Sequence, residues 1–83
     1  MIKENRIGKF YLPYKMIHEA PEAALNILNR IVVVRAELYD YGHSLEYYGY
    51  SWLFEPCKQG GRPPIYKFEV NGTIVEARIR ETP

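Results

Sequence analysis

From Ile31 to Tyr39 the chain alternates. Val32, Val34, Ala36 and Leu38 fall on one side, and Val33, Arg35, Glu37 and Tyr39 on the other. A period of two in a run rich in β-branched residues predicts a strand over 31–39 with one apolar and one mostly polar face. The stretch Glu46–Phe54, EYYGYSWLF, carries five aromatic residues in nine positions and predicts a second strand over 45–54. Two further alternating runs, 65–70 and 73–80, flank Asn71-Gly72, the preferred pair for a two-residue hairpin turn. With that turn, Phe68 faces Val75, Tyr66 faces Ala77 and Lys67 faces Glu76. Glu69, Arg78 and Arg80 then point to solvent.

A period near 3.6 occurs once. Ala24, Ile27, Leu28 and Ile31 form one apolar stripe and predict a helix over 21–30. Pro21 suits its first position, where the missing N–H has no partner to lose, and Glu22 lies where the helix dipole favours negative charge. A helix this short needs an apolar surface to dock on. Residues 1–20 read as irregular, with a short extra strand allowed at Arg6–Leu12, bounded by Pro13.

The register of the first hairpin decides which aromatic residues are core. An even-numbered turn in Asp40–Ser44 sets Glu37 against Glu46; an odd-numbered one avoids that like-charge pair and is the expected arrangement. It sends Tyr48, Tyr50, Trp52 and Phe54 toward the helix and leaves Tyr47, Gly49, Ser51 and Leu53 on the open face. A register shift of one residue inverts the assignment and exposes Trp52. The expected fold is a single α+β domain over 1–83, one short helix on a four-stranded antiparallel meander, with the optional N-terminal strand.

Composition narrows the function classes. The chain has 83 residues, 47% of them hydrophobic, which is near the lower limit for a single core. Its one cysteine, Cys57, allows no internal disulfide, and Cys57, His18 and His43 lack the paired spacing of a zinc site. The net charge is +1, without the basic excess usual in nucleic-acid binders. No apolar run is long enough to span a bilayer, and the N-terminal stretch lacks the apolar core of a secretory signal, so the expected location is cytoplasmic, without membrane association.

Catalytic sets are thin. Asp40, His43 and Ser44 are adjacent but read as a turn, in which Asp, Gly and Ser bond locally to the backbone. Cys57 beside Lys58 is a lone thiol. Glu46 and Glu55 flank the aromatic strand as the only carboxylate pair to weigh. The loop KQGGRPP departs from the phosphate-binding pattern, and no helix follows it. No catalytic residue, cofactor or metal is therefore expected, and the chain reads as a non-enzyme.

Tyrosine is the surplus, with eight in the chain. Tyr, Trp and Arg dominate protein interfaces. The expected function is a small protein-binding module, an adaptor, accessory protein or inhibitor of the kind phages and mobile elements often encode. Its expected contact residues are Arg35, Glu37, Tyr39, Tyr41, Tyr47 and Arg62. Another protein is the expected partner, and a homodimer or homo-oligomeric structural role follows from the same open sheet. Single-stranded nucleic acid is the alternative, through bases stacked on Tyr39, Tyr41 and Tyr47 near Arg35, but Glu37, Glu46 and Glu69 would repel phosphates.

Overall fold

A computed structural model of the chain describes residues 6–56 and 62–81. Five strands form one sheet: β1 (Ile7–Pro13), β2 (Val32–Tyr39), β3 (Ser44–Tyr50), β4 (Ile65–Asn71) and β5 (Ile74–Glu81). Two helices, α1 (Tyr14–Glu19) and α2 (Pro21–Leu28), lie between β1 and β2 in sequence. The spatial order is β2-β3-β1-β4-β5. The α+β class and the strands after residue 31 match the expectation, but the meander does not. β1 lies in the middle of the sheet, antiparallel to β3 and parallel to β4, so the sheet is mixed.

The physical reason is the covered face of β1. Gly8, Phe10 and Leu12 alternate with Ile7, Lys9 and Tyr11, and all three of the former are buried. Phe10 has no exposed surface. Its ring stacks on Tyr47 at 5.1 Å, meets Phe68 edge-on at 5.0 Å and lies 6.3 Å from Phe54. Lying between β3 and β4, β1 lets this one side chain meet residues of both strands. Beside it, Gly8 and Gly49 are directly opposite. A Cβ on Gly8 would come within 2.7 Å of the Tyr66 ring, and one on Gly49 within 2.5 Å of Ile31 Cγ2. The paired glycines form a slot filled by Ile31 and by the Phe54 and Tyr66 rings, which stack at 4.3 Å.

The stripe of α2 docks as expected, with Ala24, Ile27 and Ile31 buried and Leu28 packed against the core. Asn26 Nδ2 donates to Gly72 O at 3.2 Å and Arg30 Nη2 to Thr73 O at 2.8 Å, tying α2 to the β4–β5 turn. Helix α1, in a stretch expected to be irregular, brings Met16 and Ile17 onto the core after Pro13 ends β1.

The first hairpin adopts the register with the like-charge pair. Its strands pair through Tyr39 opposite Ser44, and Glu37 stands opposite Glu46. Two cations make this tolerable. The Arg35 guanidinium donates to Glu37 Oε1, with Nε at 2.8 Å, and Lys9 Nζ lies 3.8 Å from Glu46 Oε2. Tyr47 is therefore buried rather than on the open face, while Tyr48 and Tyr50 turn toward the open face. The second strand also ends earlier than expected. Ser51 Oγ donates to Arg30 O at 2.7 Å and accepts from the Leu53 N–H at 3.1 Å, and the Phe54 N–H donates to Ser51 O at 3.1 Å. That turn breaks the alternation, so Phe54 reaches the core as expected, whereas Trp52 is 85% exposed.

In the last hairpin the faces are as expected, but the partners shift by two residues. Phe68 stands opposite Ala77, Tyr66 opposite Ile79 and Glu69 opposite Glu76. The turn residues are Gly72 and Thr73, and Gly72 alone of the two has positive φ, +64°. Arg78 relieves the Glu69–Glu76 pair, with Nε 3.2 Å from Glu69 Oε1 and Nη2 3.7 Å from Glu76 Oε2.

If Phe10 holds the sheet together, Phe10→Ala costs about 3–5 kcal/mol, read as a lowered urea midpoint. Leu25→Ala, on the exposed side of α2, should change stability by less than about 1 kcal/mol. Similar midpoints for the two variants would contradict the central position of β1.

Candidate functional site

The uncovered face of β1, β3 and β2 is an ordered grid. Ile7, Tyr50 and Val32 form one row across the three strands, Lys9, Tyr48 and Arg35 the next, Tyr11, Glu46 and Glu37 the third, and Pro13, Ser44 and Tyr39 the last. A row of cations therefore adjoins a row of carboxylates, with apolar and aromatic groups at both ends. Lys9 Nζ sits 5.6 Å from the Tyr48 ring centroid and 5.7 Å from that of Tyr11, and Arg35 Cζ sits 5.8 Å from that of Tyr48. The Tyr11 and Tyr39 rings meet at 4.6 Å.

Lys9, Tyr11 and Arg35 on this face, and Tyr47 on the covered face, are held above their usual values. Burial, and then a hydrogen bond to Glu46, raises the Tyr11 hydroxyl above its usual 10.0, against the pull of the Lys9 charge. Burial acts to lower Lys9, but Tyr11, Tyr48 and Glu46 outweigh it and hold the ammonium above its usual value. Burial alone raises Tyr47. The charges of the grid thus satisfy one another, which stabilises the face.

β2 is different. All eight of its residues are exposed. It is an edge strand with β3 as its one neighbour in the described sheet. Leu38 is 73% exposed and Val33 40%, although both lie on the side of the sheet that the helices cover over β1, β3 and β4. Val32 and Tyr39 are exposed on the other side. The strand is interrupted once, by a shift in register between Val33 and Arg35.

The structure brings together Arg35, Glu37 and Tyr39 on β2, and Tyr41 in the turn that follows. Tyr41 is fully exposed and, like Asp40, adopts positive φ, 54° and 52°, which costs a non-glycine residue about 1–2 kcal/mol. Tyr47, expected as a contact residue, does not belong to this group: it is a core residue stacked on Phe10. Arg62 is exposed but leads into β4, which β3 and β1 separate from β2. The residues the alternation missed are Leu38, Val32 and Trp52. Arg6 lies over the Trp52 ring, 5.5 Å from its centroid, and its Nη1 donates to Phe54 O at 2.8 Å.

Asp40 and His43 lie in an exposed turn. The His43 N–H donates to Asp40 O at 3.0 Å, closing the turn, and the two side chains lie 3.6 Å apart in full view of solvent. Glu46 is on the open face, while the Glu55 amide donates to Tyr66 Oη at 2.8 Å on the covered side. Cys57, Lys58 and the glycines of the loop lie outside the described residues. Among the described residues, no three His, Cys, Asp or Glu side chains converge as a metal site, and no helix is long and apolar enough to cross a membrane.

Comparison with protein-family models, with curated proteins and with solved structures gives no match. The functional reading accordingly rests on the surface itself.

Tyr11 and Tyr47 both have raised folded-state values. Their contribution to stability is complete below the unfolded value of 10.0 and is lost as pH rises through the folded values. Alkaline unfolding of Tyr47→Phe should therefore be shifted to higher pH than that of the wild type, with little change at neutral pH. Identical alkaline midpoints, followed by tyrosinate absorbance and circular dichroism, would contradict the burial of Tyr47.

Proposed function

We propose that the protein is a small non-enzymatic protein-binding module whose contact element is the β2 edge. The observation that carries this reading is the exposure of β2 along its whole length, with large apolar side chains on both faces. An unpaired edge offers a row of free N–H and C=O groups to an incoming strand. Natural proteins usually guard such edges with lysine, proline, bulges or a covering loop. Here the guards are one register shift and the Arg35–Glu37 pair, whose charges are already matched.

Two features adjoin the edge and support the same reading. Trp52 and Tyr50 present exposed aromatic surface at one end of β2, of the type that anchors interfaces. Tyr41 stands at the other end in a strained backbone conformation, and such strain clusters at binding sites. The polypeptide partner supplies an extended strand, with apolar residues to meet Leu38 and Val33. Phosphate backbones fit less well, because Glu37 and Glu46 stand in the centre of the open face.

A photo-cross-linking residue at position 38, in an extract of the source cells, should yield light-dependent polypeptide adducts. The same residue at position 67, on the open face of β4, should yield few. Equal yields from the two positions, or none from position 38, would contradict β2 as the contact element.

A further inference from the structure

The sequence of the β2 edge is complementary to itself. Val34-Arg35-Ala36-Glu37-Leu38 reads apolar, positive, alanine, negative, apolar. We propose that the strand added at this edge is β2 of a second copy, paired antiparallel about a two-fold axis through Ala36. The inference rests on β2 being the contact edge and names its occupant.

Antiparallel pairing about Ala36 sets Arg35 opposite Glu37 of the second copy and Glu37 opposite its Arg35. Arg35 and Glu37 already share the open face and hydrogen-bond within one chain. The axis therefore closes a ring of four charges in which every neighbour has the opposite sign. Opposed unlike charges stabilise a cross-strand pair, and like charges destabilise it. Moving the axis to Arg35 or to Glu37 opposes like charges at its centre, so the charge pattern favours Ala36 over its two neighbours. Ala36 meets Ala36 at the axis, where small side chains let the strands approach. The register shift between Val33 and Arg35 falls on Val34, so the regular pairing spans residues 35–37, with the exposed Val34 and Leu38 flanking it at both ends. The product is one continuous ten-stranded sheet, from the five strands of each copy, and the same patch serves both copies, as a closed two-fold dimer requires.

The other edge is a poorer fit. Glu76-Ala77-Arg78 on β5 has a similar alternation, but Arg78 is engaged by Glu69 of β4, and Val75 is buried in the core. An antiparallel contact between β2 and β5 of another copy about Ala36 and Ala77 opposes Arg35 to Arg78 and Glu37 to Glu76. That repulsion disfavours an open chain of copies.

Sedimentation across a concentration series tests the pairing. The wild type should dimerise. Arg35→Glu and Glu37→Arg should each self-associate about tenfold more weakly or worse, because two symmetry-related contacts pass from attraction to repulsion. An equimolar mixture of the two variants should regain the dimer, since each then meets its opposite. Arg78→Glu should leave dimerisation unchanged. As a second measurement that tolerates poor folding of a charge variant, Ala36→Cys in a Cys57→Ser background should oxidise to a covalent dimer, and Lys67→Cys in that background should not. A wild type that stays monomeric, a mixture that fails to recover the dimer, or equal disulfide yields at positions 36 and 67 would overturn the pairing. A monomer whose position-38 probe still cross-links a different polypeptide overturns the second copy alone and leaves the edge as the contact. A monomer whose probe links nothing overturns both.

Discussion

The packing of Phe10 governs this fold. Its ring sits fully buried between Tyr47 of β3, Phe68 of β4 and Phe54 of the turn after β3. Aromatic groups of this size carry most of the apolar mass of a chain with no disulfide, and their contacts add to simple burial. One ring touches residues of β3 and β4 at once because β1 lies between those strands. The order of the sheet follows, with β4 and β5 on one flank and β3 and β2 on the other. The helices cover the face on which Phe10 lies, and their reach is used up over β1, β3 and β4. β2 is left outside that cover.

What the sequence made legible is what local chemistry decides. The 3.6-residue spacing of Ala24, Ile27 and Ile31 located α2, and alternation about Asn71 and Gly72 located the β4–β5 ribbon and its faces. The misreadings have non-local causes. Gly8, Phe10 and Leu12 form a good strand pattern, but nothing within seven residues says which strands will flank it. Like charges disfavour setting Glu37 opposite Glu46 in an isolated hairpin, but here Lys9, from a strand far off in sequence, and Arg35 neutralise the two carboxylates. The aromatic run looked like one strand, yet Ser51 ends it by turning the chain and bonding to Arg30 O. Of the expected contact residues, those on β2 and its turn stay together, Arg62 lies elsewhere, and Tyr47 belongs to the core.

The two faces of the sheet have different economies. On the open side, cations, carboxylates and tyrosine rings saturate one another across three strands, which makes a stable wall with little left over for a ligand. At the β2 edge the side chains are matched in charge along the strand but bare of apolar cover. A protein–protein role fits this contrast, because apolar surface and free backbone groups at an edge are satisfied by another strand.

All of this depends on β1 lying between β3 and β4. Backbone nuclear Overhauser contacts in solution test that most directly. Phe10 should show cross-strand contacts both to Tyr47, in an antiparallel pattern, and to Tyr66, in a parallel one. Direct contacts between β3 and β4, with β1 touching only one of them, would contradict the account.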